Sequence, residues 1–148
     1  MKRLIVASAL CAFAMTLALA ASAPVLAQDA FKIIINAKNE TTEMSKEDVA
    51  LCFLKKQVRW AGKGSVSPVD LPASSPVRAA FSKAILNKDV QAVKSLWNAL
   101  IFSGKGVPPI EKANDAGVMA FVGSNESALG YVSASATLTA DVKLLKVK

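Results

Sequence analysis

The alternation of apolar and polar stretches along the chain predicts a series of short strands and helices. Four apolar runs rich in β-branched residues predict strands: 31–36, 66–71, 128–132 and 142–147. Four segments with apolar residues at three- and four-residue steps predict helices: 45–54, 75–86, 89–102 and 115–122. This order of strands and helices indicates an α/β sandwich around a mixed or mostly parallel sheet.

Polar residues that commonly cap helices precede each predicted helix: Ser45, Ser75, Asp89 and Asn114. Ser45 is followed three residues later by the carboxylate of Asp48, as in a capping box. The helical spacing predicts these inward-facing residues: Val49, Cys52, Phe53, Val77, Phe81, Ile85, Val90, Val93, Trp97, Leu100 and Ile101. Trp60, in the intervening loop, is expected to be tucked into the domain.

The N-terminal segment has the pattern of a secretory signal peptide. Lys2 and Arg3 precede the apolar run 4–20, and Val25-Leu26-Ala27 forms a small-residue cleavage site. We therefore expect residues 1–27 to be removed, leaving a single domain over 28–148 in the periplasm. The alternative is a retained membrane anchor, because the run approaches the roughly 20 residues that span a bilayer.

The composition excludes several classes of chemistry. The chain has no histidine and two cysteines, of which only Cys52 would remain after cleavage. Histidine-based catalytic triads and metal sites are thereby excluded, and we expect no enzyme activity, no metal and no cofactor. Removing Lys2 and Arg3 from 18 basic residues leaves 16 against 11 acidic ones, a net charge of +5 that suits anionic partners.

A basic loop surrounds Trp60. Its basic residues are Lys55, Lys56, Arg59 and Lys63. Nucleic-acid binding would need several exposed aromatic side chains for stacking, and this loop offers one. A solvated loop is the simpler interpretation, so no nucleic-acid partner is expected.

The stretch "VDLPASSPVRAAF", residues 69–81, is the strongest candidate for a binding site. Ser75 suits the N-cap position and Pro76 the first helical position, so the helix would present free amides to an oxyanion. Ser74 and Ser75 could donate hydroxyl hydrogens, and Arg78 could add positive charge. Asp70 suits an anion that carries a proton, such as hydrogen phosphate. An ordinary helix cap that binds nothing remains the alternative.

Three segments together resemble the periplasmic phosphate-binding proteins, the substrate-binding components of phosphate ABC transporters. "LCFLKKQVRW" (51–60) is similar to a family segment that ends in tryptophan, and "PVDLPASSPVRAAF" (68–81) lies at the place of the family's phosphate loop. "ALGYV" (128–132) is similar to a family strand. The resemblance implies a single-lobe type II periplasmic-binding-protein-like sandwich, with a mixed β-sheet flanked by helices.

The resemblance also assigns roles to individual residues. Asp70 matches the family's aspartate, which accepts the proton of phosphate, and Ser74 or Ser75 matches its hydroxyl donors. The loop arginine of the family is not matched, since Pro68 stands there, and Leu71 and Ala73 replace loop glycines. We expect Arg78 to supply the missing charge from the helix, which is an inference from this chain alone.

The resulting expectation is an exported phosphate- or oxyanion-binding protein, with Asp70, Ser74, Ser75 and Arg78 as ligand-binding residues. A single lobe would enclose its ligand only in part, unless it forms a homodimer or meets an inner-membrane transporter or another envelope protein. The alternative from a different class is a periplasmic docking module that kept the lobe and lost the ligand.

Overall fold

The β-branched run Phe31–Asn36 forms a buried strand in the computed structural model of the protein. The structure describes residues 30–54, 56, 59–60 and 63–148. The predicted signal peptide, residues 1–27, lies outside the described residues, and so does Lys55 of the predicted basic loop. None of the helices in the described part of the chain has the length and hydropathy that crossing a bilayer requires.

The described residues contain a central five-stranded sheet and short accessory strands. The strands are β1 (Phe31–Asn36), β2 (Glu43–Met44), β3 (Arg59–Trp60), β4 (Lys63–Ser65), β5 (Ser67–Asp70), β6 (Ile110–Glu111), β7 (Ala128–Ser133), β8 (Val142–Leu144) and β9 (Lys146–Val147). The central sheet has the order β6-β5-β7-β1-β8. β5 is parallel to β6 and β7, whereas β1 is antiparallel to β7 and β8. The sheet is therefore mixed.

Side-chain caps fix the starts of the helices. The helices are α1 (Lys46–Phe53), α2 (Pro76–Ala84), α3 (Val90–Phe102) and α4 (Asp115–Ser124). The preceding residues Ser45, Ser75, Asp89 and Asn114 each accept a hydrogen bond from the backbone amide three residues on. Because these bonds satisfy amides that have no partner within the helix, the four predicted helix starts are confirmed.

The two faces of the sheet are covered by different helices, as neighbouring residues of β7 show. A methyl group on Gly130 would meet Val118 and Val122 of α4, whereas the ring of Tyr131 stacks on Phe81 of α2, with centroids 3.9 Å apart. Successive strand residues point to opposite faces, so α4 covers one face and α2 the other. Phe53 of α1 joins the second face, 4.7 Å from Phe81, and α3 packs outside α2.

The structure corrects three details of the sequence prediction. Ile101 was expected to face inward, but it is 48 % exposed, because α3 packs on α2 along a narrow stripe that includes Val93 and Trp97. The predicted strand 142–147 is interrupted at Leu145, whose amide donates to the carbonyl of Ile33. The predicted loop before β5 contains the β3–β4 hairpin, in which Trp60 is buried as expected.

Cys52 is buried in α1, and burial together with the nearby Asp48 carboxylate raises the pKa of its thiol to about 11. We expect the thiol to resist modification by a disulfide reagent in the native protein at neutral pH, because the thiolate is the reactive form. Reaction should become fast only in denaturant. A Leu144→Cys variant, whose new thiol would be exposed, is the positive control. Rapid stoichiometric labelling of native Cys52 would contradict this prediction.

Candidate functional site

The junction between β5 and α2 places the predicted binding residues at the carboxyl edge of the parallel strands. The amide of Ser75 donates to the carbonyl of Pro72, which turns the chain from the strand into the helix. The hydroxyl of Ser75 accepts from the amide of Arg78 at 3.4 Å, and Pro76 occupies the first helical position. Ser74 is exposed beside this helix start. The N-terminus of α2 therefore opens to solvent at Ser74.

The side chain of Arg78 is held by three acceptors. Its Nη2 lies 3.0 Å from Oδ2 of Asp70, and its Nη1 donates to the carbonyl of Leu71 at 2.6 Å and to Oε1 of Glu111 at 2.5 Å. The side chains of Arg78 and Asp70 are only 7 % and 8 % exposed, whereas that of Glu111 is 54 % exposed. Arg78 thus links the ends of β5 and β6 to α2 through a largely buried ion pair.

Asp70 accepts hydrogen bonds at both carboxylate oxygens. Its Oδ1 accepts from the amide of Leu71 at 2.9 Å and from the hydroxyl of Tyr131, which makes a short contact. Burial raises the pKa of the Asp70 carboxyl above its ordinary value, while the Tyr131 hydrogen bond and the Arg78 charge oppose this rise. Burial and the neighbouring carboxylate also raise the pKa of Tyr131, so its hydroxyl keeps its proton and donates.

The structure therefore brings two of the four predicted residues, Asp70 and Arg78, into direct contact. Ser75 contacts the backbone of Arg78, and Ser74 lies at the surface one residue earlier. Arg78, Leu71 and Tyr131 engage three of the roughly four acceptor positions of the Asp70 carboxylate, so little acceptor capacity is left for the proton of a phosphate. The binding role of the four residues stays a prediction.

Two members of this cluster, Tyr131 and Glu111, were missed by the sequence analysis. Tyr131 was assigned only to a strand, although a buried tyrosine usually finds a partner for its hydroxyl. Glu111 follows the glycine- and proline-rich segment 104–109, where no local pattern indicates a strand. Its place next to Arg78 comes from the pairing of β6 with β5, which is a long-range feature.

Arg78 keeps one buried donor without a partner, the Nε atom. A buried donor without a hydrogen bond costs on the order of 1–3 kcal/mol. The net charge of this cluster is nevertheless negative, because one guanidinium faces the two carboxylates of Asp70 and Glu111. An incoming anion would meet a helix N-terminus that favours it and a charge cluster that does not.

A concavity of about 600 Å³ lies at the opposite edge of the sheet. Its wall includes Lys38, Trp60, Glu126 and Ser127, and none of the four predicted residues lines it. Ser127 directly precedes β7, and Trp60 lies in the hairpin before β5, so this cleft is at the amino ends of those strands. This cleft is thus separate from the α2 junction, to which the chemistry of helix N-termini points.

Comparison with known proteins identifies the architecture. No protein-family model and no curated protein sequence matches the chain. Among solved structures, an ABC-type phosphate transport receptor from Vibrio cholerae superposes with a TM-score of 0.62 at 16 % identity. The match covers 80 % of this chain and 46 % of the receptor. The chain has a phosphate-binding-protein-like fold that corresponds to part of this receptor.

Two further structures agree with this assignment. A protein from Clostridium perfringens, assigned as a phosphate ABC transporter substrate-binding protein and solved with bound phosphate, gives a TM-score of 0.63 at 17 % identity over 80 % of this chain and 44 % of its own. PstS from Borrelia burgdorferi gives 0.58 at 12 % identity over 80 % and 47 %. The phosphate-binding-protein-like chain thus spans less than half of these proteins. At such identities the likeness concerns the fold.

Proposed function

We propose that this protein is an exported module that binds phosphate or a related oxyanion at the N-terminus of α2. The observation that carries the proposal is the junction of β5 and α2, set within a fold shared with phosphate receptors. We further propose a periplasmic location, an ABC transporter or another envelope protein as partner, and no catalytic activity. A second copy of the chain is a candidate for covering the open side of the ligand.

The start of α2 supplies the attraction for an anion. The partial positive charge of a helix N-terminus and its free amides favour negative ligands. Ser74 adds an exposed hydroxyl, whereas Pro76 at the first helical position has no amide hydrogen to donate. The guanidinium of Arg78 lies within the first turn, although its charge is already shared with Asp70 and Glu111. These features support a weak site rather than a tight one.

The exposed carboxylate of Glu111 should limit the affinity. We expect Glu111→Gln to increase phosphate affinity about fivefold, because removing one charge beside Arg78 lowers the repulsion by roughly 1 kcal/mol at a partly solvated site. Isothermal titration calorimetry at low ionic strength would measure the change. Glu47→Gln, an exposed carboxylate on α1, is the matched control and should leave the affinity unchanged. An equal gain in both variants would indicate a general charge effect.

Calorimetry with phosphate, sulfate and related anions at millimolar concentration tests the proposal itself. Arg78 is unsuitable for substitution here because it is part of the buried ion pair. Ser74→Asp instead places a negative charge at the mouth of the site and should abolish binding. Gln91→Glu adds the same charge to the first turn of α3 and should not. Absence of heat with every anion would refute anion binding, whereas heat that is insensitive to Ser74→Asp would refute the site.

The second candidate is a docking module of the cell envelope that binds no anion. The observation that favours it is the charge cluster, in which Asp70 and Glu111 already neutralise Arg78. Calorimetry separates the two candidates, since a docking module would show no heat with any anion. A docking module would also bind its partner protein equally well with and without phosphate.

A further inference from the structure

An exposed apolar cluster lies at the C-terminal end of α3. Phe102 is 91 % exposed, and Ile101 and Val107 are 48 % and 64 % exposed. Single exposed apolar residues are common on protein surfaces, but an adjacent group of this kind often marks an interaction surface. We call these three residues the apolar tip.

The backbone holds the apolar tip in a fixed position. The helix ends at Ser103, Gly104 follows with a φ of +65°, and the amides of Gly104 and Lys105 donate to the carbonyls of Ile101 and Leu100. This is a Schellman motif, which closes the last turn and satisfies its carbonyls. Gly106 then lies against the ring of Trp97, where an added methyl group would be 3.6 Å away. The exposure of Phe102 is therefore built into a well-formed helix end.

Two exposed lysines flank the apolar tip and add positive charge to it, Lys94 on the same helix and Lys105 on the turn that follows it. Between residues 71 and 110 the basic residues are Arg78, Lys83, Lys88, Lys94 and Lys105, and the one acidic residue is Asp89. All four lysines are exposed, but Lys83 and Lys88 lie before the N-terminal end of α3, at the end opposite to the apolar tip. Lys94 and Ile101 are seven residues apart on α3, so both lie along one side of the helix. Lys105 follows on the turn beyond it.

We propose that this surface binds an anionic phospholipid bilayer. Ile101, Phe102 and Val107 would enter the interfacial region, and Lys94 and Lys105 would lie against the headgroups with their apolar stems along the surface. Clustered lysines are attracted to anionic leaflets, and each adds measurably to the binding. The apolar tip projects outward from a helix end, a shape that suits a soft planar surface.

Charge disfavours a second copy of the chain as the occupant of this surface. A symmetric dimer through the apolar tip would bring Lys94 and Lys105 of each copy close to those of the other. Like charges facing each other across an interface oppose association. The proposal does not rest on the anion site, because Arg78 is buried and takes no part in it.

Vesicle flotation with the exported chain tests the proposal. We expect binding to vesicles that contain phosphatidylglycerol, weaker binding to pure phosphatidylcholine, and a decrease at high salt. Phe102→Ser should lower the partition coefficient about tenfold. Lys94→Gln with Lys105→Gln should lower it by about fivefold for each lysine. These residues are exposed, so the substitutions should leave the fold intact, which thermal unfolding would verify.

Matched controls separate this surface from general effects. Leu144→Ser removes another exposed apolar residue, and Lys38→Gln with Lys46→Gln removes the same charge elsewhere; both should leave binding nearly unchanged. No binding by the wild type, or equal losses in the controls, would overturn the proposal. So would a dimer in analytical ultracentrifugation that Phe102→Ser abolishes. If free glycerol phosphate released the protein from the vesicles and Phe102→Ser had no effect on binding, the lipid headgroup would bind at the N-terminus of α2. This result would also overturn the proposal.

Discussion

Replacing Arg78 with glutamine is expected to lower the free energy of unfolding by about 3 kcal/mol or more. The substitution leaves Asp70 buried without its opposite charge, and breaking one side of a buried ion pair has this typical cost. It also frees the carbonyl of Leu71 and the carboxylate of Glu111 from their shared donor. Denaturant titration followed by tryptophan fluorescence would measure the loss. Lys83→Gln, an exposed change on the same helix, should stay within about 0.5 kcal/mol of wild type.

The loss in Arg78→Gln should depend on pH. Burial already raises the pKa of Asp70, and without Arg78 the folded-state pKa rises further above the unfolded value. Below the unfolded pKa the carboxyl is neutral in both states, so the loss of stability should be smallest there. It should grow as the pH rises above the folded-state pKa of the wild type, because the variant's Asp70 then keeps its proton in the folded state and ionises in the unfolded state, and it should level off above the variant's own folded-state pKa. A loss that is as small as that of Lys83→Gln at neutral pH would contradict a stabilising ion pair.

Gly130→Ala is expected to destabilise the protein by about 1–3 kcal/mol through overpacking. A methyl group there would lie 2.8 Å from Cγ1 of Val118 and of Val69, and 3.1 Å from Cγ2 of Val122. All three valines are fully buried, and β-branched side chains have few alternative rotamers to adopt. Thermal and denaturant unfolding would measure the effect.

Gly106→Ala is the control for this substitution, since its methyl group would make an ordinary contact 3.6 Å from Trp97. It should change the stability little. Adding Val118→Ala to Gly130→Ala removes one of the obstructing methyl groups and should recover part of the loss if overpacking is the cause. Wild-type stability in Gly130→Ala would show that α4 does not pack closely on β7.

Local sequence signals were sufficient for the helices and the longer strands. The residues Ser75 and Asp89 act on amides only three positions away, so the sequence alone shows where α2 and α3 begin. The run Phe31–Asn36 is a strand by its own composition. The family resemblance agrees with the fold found among solved structures. The short strands β2 and β6 escaped prediction because they pair with distant strands, and the β3–β4 hairpin escaped it because the glycines and proline of that segment predict a loop.

The candidate site could be predicted only in part. Asp70 and Ser75 belong to one continuous segment, so their proximity follows from the chain itself. The contacts of Arg78 with Glu111, and of Asp70 with Tyr131, join residues 33 and 61 positions apart. Sheet order determines these contacts, and no spacing in the sequence encodes it. The sequence analysis treated Arg78 as a free positive charge, whereas in the structure carboxylates neutralise it. The expected affinity for anions is therefore lower.

The most direct test of the central claim is a phosphate titration of the isotope-labelled protein followed by backbone amide chemical shifts. If an oxyanion binds at the N-terminus of α2, the amides of Ser74, Ser75 and Val77 should shift together and saturate with one dissociation constant. The amides of the first turn of α3 should stay in place. Unchanged α2 amides at millimolar phosphate, or saturable shifts confined to the cleft beside Trp60, would contradict the claim.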